Sequence, residues 1–351
     1  MLTAFALVVA SALPAAVKIE AGKPYRRNKA EKEPMSLSGI AWSGKDDLYY
    51  AVADNDDVRA NELGLHRLWI TLSKDGLSVK NWKALDVMAT IRLEGVKDVE
   101  GCAVDPFTGK VWVVDEANTE IGEYDPETAK PRRFLSVSKR FRRHTINYGL
   151  ESLTISPDGL VLWTANEEAL PVDGNRSSPV DGTMVRLVKY TRKSVRGTFA
   201  PAGEYAYKTE KWHNEHSCGR KGRRGVADLC ALPDGSLLVL ERELSFSHDG
   251  TGLLGKASGM FYWEIFRVEK PEGATDVRRL DSLLGTKYKP VRKTSLISDY
   301  GSVVMHAPNY EGLALGPELG PGKRSLLLVS DAGDGYTGAY LLPLVIEISD
   351  K

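Results

Sequence analysis

Residues 148–170 read YGLESLTISPDGLVLWTANEEAL. Positions 150–156 alternate apolar and polar residues, Pro157-Asp158-Gly159 is a turn signal, and 160–165 is a second, more apolar run rich in Leu, Val and Trp. The stretch is therefore predicted to be a β-hairpin. Glu151 stands where the first strand begins, and Glu167 and Glu168 where the second ends. A tight hairpin brings its open ends together, which places these acids at one end of the structure, opposite the turn.

Four further segments repeat the pattern: 37–54 (LSGIAWSGKDDLYYAVAD), 99–116 (VEGCAVDPFTGKVWVVDE), 226–243 (VADLCALPDGSLLVLERE) and 310–331 (YEGLALGPELGPGKRSLLLVSD). Gly39, Gly101, Ser152, Asp228 and Gly312 hold the same place in the five copies. Between the hairpins lie further strand-like runs at 65–73, 121–125, 184–190, 262–268 and 339–348, each placed as the third strand of a blade. Repeats of this kind signal a solenoid or a propeller, and radial repetition leaves only short, protected sheet edges. The predicted fold is all-β, a β-propeller of five or six four-stranded blades. A sixth, degenerate blade has room between Asp228 and Gly312. Residues 15–21 are read as the outer strand that closes the ring against the C-terminal strands. Residues 171–182, 212–225 and 281–309 read as insertions, the last with room for a short helix; such long loops tend to carry function.

Lys+Arg and Asp+Glu both number 47 in 351 residues, so no global field favours nucleic acid or an anionic membrane. The 33 glycines and 17 prolines suit a turn-rich β protein. Residues 1–16 read as a signal peptide, with an apolar stretch at 2–12 and Ala10-Ser11-Ala12 as a small-residue cleavage site. The apolar run is shorter than the roughly 20 residues a membrane span needs. Residues 17–351 then form one domain, exported to the periplasm or beyond. Cys102, Cys218 and Cys230 show no metal spacing; Cys218 and Cys230 could close a short loop, or all three could be reduced thiols.

If the hairpin turns share one face of the ring, Glu100, Glu151 and Glu311 from the strand starts meet Asp54, Glu116, Glu167, Glu241 and Asp331 from the strand ends at the other. So many carboxylates repel unless a cation sits among them, and a hard ion such as Ca²⁺ takes oxygen ligands. Glu100, Glu116, Glu241, Glu311 and Asp331 are the candidate ligands, and Glu151 and Glu167 the candidate general bases. The alternative is that acids end strands because they are solvated and suit turns. Arg142 and Arg143, in the run 139–144, and Arg242, between Glu241 and Glu243, are candidate clamps for an anionic substrate; Arg220 to Arg224 read as a basic loop. His306, just before Glu311, is a candidate acid or base. No GxSxG elbow and no HExxH pattern occurs.

At these residues the chain resembles the "esterase-like activity of phytase" family. The resemblance rests on Ser38-Gly39-Ile40-Ala41, Glu100-Gly101-Cys102-Ala103 with Asp115-Glu116, and 147–153 (NYGLESL). Residues 166–170 (NEEAL), 240–243 (LERE) and 309–314 (NYEGLA) complete it, so that it spans about 36–348. It implies an exported propeller with phytase-like or esterase-like hydrolysis of a small anionic or ester substrate. Where other hairpins carry Glu-Gly or Ser-Gly, this chain has Glu151-Ser152 and Ala227-Asp228. Two other functions fit the same pattern: a non-catalytic ligand- or protein-binding propeller, and a lactonase-like metal propeller, which needs no Arg clamp.

Overall fold

The computed structural model describes residues 16–26, 36–53, 63–85, 93–145, 148–212, 222–246, 259–299, 308–331 and 339–349. Most of the signal-peptide reading lies outside them, as do Asp54, Cys218, Arg220 and His306. Two short strands come first, β1 (Ala16–Ala21) and β2 (Tyr25–Arg26). Blade 1 is β3 (Gly39–Trp42), β4 (Leu48–Ala53), β5 (Gly64–Leu72) and β6 (Val79–Ala84). Blade 2 is β7 (Val99–Val104), β8 (Val111–Asp115), β9 (Glu120–Tyr124) and β10 (Pro131–Phe134). Blade 3 is β11 (Leu150–Ile155), β12 (Val161–Asn166), β13 (Met184–Thr191) and β14 (Ala200–Lys208). Blade 4 is β15 (Gly222–Ala231), β16 (Leu237–Phe246), β17 (Gly259–Val268) and β18 (Lys293–Ser298). Blade 5 is β19 (Asn309–Gly320), β20 (Lys323–Asp331) and β21 (Tyr340–Ser349), completed by β1, which pairs antiparallel with β21 from Ala16↔Ser349 to Ala21↔Leu344. The ring is thus a five-bladed propeller, closed by its two chain ends.

The interval with room for a sixth blade holds instead the long strands of blade 4 and an insertion between β17 and β18. Its one helical turn, a 3-10 turn at Pro271–Gly273, precedes 281–309, and the described part of that segment contributes β18 rather than a helix. The 157–159 hairpin turn forms as its residues require. Asp158 accepts the Leu160 N–H at 3.0 Å, Ser156 Oγ accepts the Val161 N–H at 2.9 Å, and Gly159 takes φ +69°, a left-handed conformation that costs glycine little.

The second strands are apolar on both faces because each blade is packed on both sides; all five residues of β8 are buried. Five buried apolar clusters each straddle one pair of neighbouring blades: Tyr49 with Leu327, Tyr50 with Val113, Trp112 with Leu162, Trp163 with Val239, and Leu238 with Leu326 mark them in turn. These seams hold the ring, at about 1.5–3 kcal/mol for each fully buried large apolar side chain.

With only five blades the innermost strands β3, β7, β11, β15 and β19 touch in a ring. At the level of the five matched positions the axis is pinched shut. A Cβ on Gly101 would lie 2.7 Å from the Glu151 carbonyl, and one on Gly39 2.7 Å from the Glu100 carbonyl, so only glycine fits there. The Asp228 side chain is buried among these inner strands. It accepts N–H groups from Leu229 at 2.8 Å, from Leu313 of blade 5 at 2.7 Å, and from Leu153 of blade 3. Asp228 is a staple between three blades, which explains why this copy carries an acid where three others carry glycine.

Candidate functional site

The acids are gathered by a bulge repeated around the ring. In blades 2 to 5 the first strand carries one extra residue against the second, between Val99 and Cys102, Leu150 and Ser152, Val226 and Asp228, and Tyr310 and Gly312. Bulges re-aim side chains, and the residues caught in these are Glu100, Glu151, Ala227 and Glu311. Across from them, Asp115, Asn166, Glu241 and Ser330 pair with Val99, Leu150, Val226 and Tyr310. The next residue of each second strand therefore holds the matched rim position: Glu116, Glu167, Arg242 and Asp331.

This register corrects the placement of Glu241 by one residue, and a one-residue step along a strand reverses the face. Glu241 is fully buried inside blade 4. It accepts from Tyr207 Oη and Lys293 Nζ, both at 2.6 Å, from Arg224 Nε at 2.5 Å and from the Glu210 N–H at 3.0 Å. Four donors saturate the carboxylate. Burial works to raise its pKa, but Arg224 and Lys293 outweigh burial and hold it below the usual range. Arg224, read as part of a basic loop, lies on β15 and is itself buried against Glu241 and Glu264.

Arg242 takes the rim position instead. It is wedged between Glu167 Oε1 at 2.5 Å and Glu311 Oε1, with Asn309 Oδ1 at 3.2 Å. Bound this way it braces carboxylates from blades 3 and 5 and is not free to clamp a substrate. Asp331 stands beside Glu311, bridged through Asn309 Nδ2 at 3.5 Å. Arg142 and Arg143 sit in a 3-10 turn, Lys139–Arg143, anchored by the buried Phe141; both are exposed and form no ion pair among the described residues.

Among the described residues the mouth holds more carboxylates than cations, and several of the acids are buried. Glu100, Glu116, Glu151, Glu167, Glu311 and Asp331 face one another around Arg242. Burial, followed by the charges of Glu100, Glu167 and Glu116, drives the Glu151 carboxyl well above its ordinary pKa. Burial is also the main cause that raises Glu116, Glu168 and Glu311 to about 7 each. Gly149 ties two of the acids together: its N–H donates to Glu116 and its carbonyl accepts the Glu167 N–H at 2.9 Å.

Sequence reasoning missed several neighbours. Asp98, Glu100 and Glu116 bring one carboxylate oxygen each within 4.8 Å of the others. Oxygens bound about 2.3–2.6 Å from a shared Ca²⁺ ion lie about this far apart, so the oxygen-only set fits a hard cation. His144 Nδ1 stands 3.9 Å from Glu116. Glu168 is 1% exposed, and among the described residues neither of its oxygens has a hydrogen-bond partner; Arg176 Nε is 3.6 Å away. Arg176 and Arg223 cover the two sides of the Tyr148 ring at 4.5 and 4.6 Å from its centroid. Their only signals in the sequence were that Arg176 falls in the 171–182 insertion and Arg223 in the basic run. Asp115, by contrast, is buried and accepts the Lys97 and Asn118 backbone N–H groups. Cys102 and Cys230 are buried free thiols, so Cys230 does not close a loop.

Among solved structures the chain is similar to regucalcin from Agrobacterium tumefaciens, titled a calcium-binding protein (12% identity, 98% of each chain, TM-score 0.36). It is also similar to the PQQ domain of pyranose dehydrogenase from Coprinopsis cinerea (11% identity, 96% of this chain and 99% of that one, TM-score 0.37). A third is a DUF4221 protein from Bacteroides vulgatus (8% identity, 95% and 99%, TM-score 0.39). Likenesses this distant carry no inference about this chain. No curated protein matches it significantly. The family model for the esterase-like activity of phytase matches residues 35–332, a span that contains every blade's first hairpin and the whole acidic mouth, and the chain belongs to that family.

Proposed function

We propose that this protein is an exported, metal-assisted hydrolase of phosphate or carboxylate esters, working at the acidic mouth of the propeller. One observation carries the reading. The fold brings carboxylates from blades 2, 3 and 5 together around Arg242, and burial raises Glu116, Glu151 and Glu311 above the ordinary carboxylate range, so a bound cation would favour their ionised forms. Ca²⁺ suits the oxygen-only donors, and Asp98, Glu100 and Glu116 would hold it. Such an ion would supply Lewis-acid polarisation of the ester and a bound water of lowered pKa.

The chain's own groups do the rest. Glu151, pushed toward its neutral form by burial, holds a proton next to the mouth and exchanges it as the local charge changes, the behaviour of a general acid–base. Glu167 is oriented by Arg242 and by its backbone ties to Gly149 and Val226. Arg176 and Arg223, held on Tyr148, present guanidinium groups at the edge, the fork that suits an anionic substrate. Arg142 and Arg143 extend that positive edge into solvent. Export rests on the apolar stretch 2–12 and its small-residue cleavage site; no helix among the described residues is long and apolar enough to cross a membrane.

The test is hydrolysis of an aryl phosphate and an aryl acetate in parallel, on chelator-stripped protein with Ca²⁺ added back. Phosphate release restored by the ion supports a phosphoesterase. Acetate cleavage alone assigns carboxylester chemistry. Silence on both substrates from folded protein sinks the hydrolase reading.

A further inference from the structure

We propose that the opposite end of the ring is a second ligand site, a small funnel that takes an organic anion with an apolar body. A cavity of about 300 Å³ opens there, lined by the turn-side halves of all five innermost strands. Trp42, Val104, Ile155, Cys230 and Leu315 contribute from β3, β7, β11, β15 and β19. Below it lies the layer where the inner strands press together at Gly39, Gly101 and Gly312 around the buried Asp228. The volume is at the small end of the range for small-molecule sites, about 300–1,000 Å³, and such sites combine apolar walls with a few placed polar groups.

Here the placed group is Arg324, the one charged residue in the lining. Its Nε and Nη2 donate to a single acceptor, the Gly316 carbonyl, at 3.0 and 2.8 Å, and its guanidinium carbon lies 5.7 Å from the Trp42 ring centroid. Among the described residues no carboxylate forms an ion pair with it; Glu318 acts on it only from a distance and is exposed. Burial holds its pKa below the ordinary arginine value. Arg324 is half-buried, so its guanidinium is partly desolvated without a carboxylate partner among the described residues, a cost that an incoming anion relieves, since the planar fork binds such a group bidentately. The apolar walls select an aryl or alkyl body behind that anionic head. This site goes beyond the hydrolase reading and does not rest on it.

The probe is 2-naphthoate, titrated calorimetrically into the full chain, with 2-naphthamide as the neutral control. Saturable one-to-one binding of naphthoate is expected, weakened about tenfold or more in Arg324→Gln. Affinity for the amide should be the same in both proteins. Ala41→Leu, which puts bulk into the cavity without touching the guanidinium, should weaken both probes. Chelation and added Ca²⁺ should leave naphthoate affinity unchanged, which separates this site from the acidic mouth whether or not hydrolysis is found. Absence of binding by folded protein overturns the proposal. So does binding that survives both substitutions, or binding that follows Ca²⁺.

Discussion

Arg242→Gln removes the counter-charge of the mouth, and its cost should depend on pH. Arg242 is buried and pairs with Glu167 and Glu311. Removing one partner of a buried ion pair costs about 3–5 kcal/mol, because the charge left behind is uncompensated. A carboxylate can escape that cost by taking up a proton. Glu311 already stands at about 7 with Arg242 in place, raised chiefly by burial. The sign follows from linkage: a carboxyl raised above its unfolded value contributes stability that is fully present below the unfolded pKa, about 4.3, and lost as pH rises through the folded one. A rise from 4.5 to about 7 corresponds to roughly 3 kcal/mol at 1.36 kcal/mol per unit. At pH 5 Glu311 is protonated in both proteins, and the variant loses mainly the Glu167 pair. At pH 8 it loses both pairs, the full 3–5 kcal/mol or so. Urea unfolding of chelator-treated protein at the two pH values reads this directly. An equal loss at both, or no loss at pH 8, would refute the electrostatic account of the mouth.

Glu151→Gln should lower turnover about 100-fold or more while leaving the protein at least as stable at pH 8, since burial already favours a neutral group there; retained turnover removes Glu151 from the chemistry. Glu241→Gln should do the reverse, costing about 3–5 kcal/mol with hydrolysis per folded molecule unchanged. Because Glu241 is held below its usual pKa, its stabilisation is lost as pH falls, and the urea penalty should shrink on acidification; a turnover defect in folded Glu241→Gln would return it to the site. Asp228→Ala leaves the inter-blade amides of Leu153 and Leu313 without an acceptor, at about 1–3 kcal/mol each, and an unchanged urea midpoint would mean that the staple is dispensable.

The propeller was legible because its signals are local. Pro157-Asp158-Gly159 and Asp234-Gly235 terminate strands by turn chemistry that any reader of the chain can find, and Gly39, Gly101 and Gly312 recur where inner strands press together. The blade count was not legible, for a physical reason. The insertion between β17 and β18 folds onto blade 3: Val277 N–H donates to the Glu204 carbonyl at 2.7 Å, and Arg186 and Arg140 both reach the Leu280 carbonyl. A segment clamped to a neighbour in this way mimics, by length alone, a missing repeat. In the site, Glu100, Glu151 and Glu311 could be read from the strand starts, whereas Glu241 could not be told from Arg242. The bulge that decides between them adds a residue to β15, not to β16, and pattern cannot reveal it. Asp98, His144, Tyr148, Arg176 and Arg223 arrive from connections or strand ends with no periodicity to mark them.

The small number of blades has a consequence for where chemistry can happen. A wider ring leaves an open channel in which acids at a rim are hydrated and cost little to hold apart. Here the inner strands press together at Gly39, Gly101 and Gly312, and the buried Asp228 side chain is hydrogen-bonded between them, so the ring is tightly packed beneath the mouth. There Glu151 and Glu311 are buried and Glu100 is half-buried, and burial is the first cause that raises Glu116, Glu151, Glu168 and Glu311. Surface acids of the same number would be screened and inert. The close packing that holds the blades together also buries Glu116, Glu151 and Glu311, so that they demand a proton or a cation, and that demand is the strongest reason to look for a metal-dependent activity at this end.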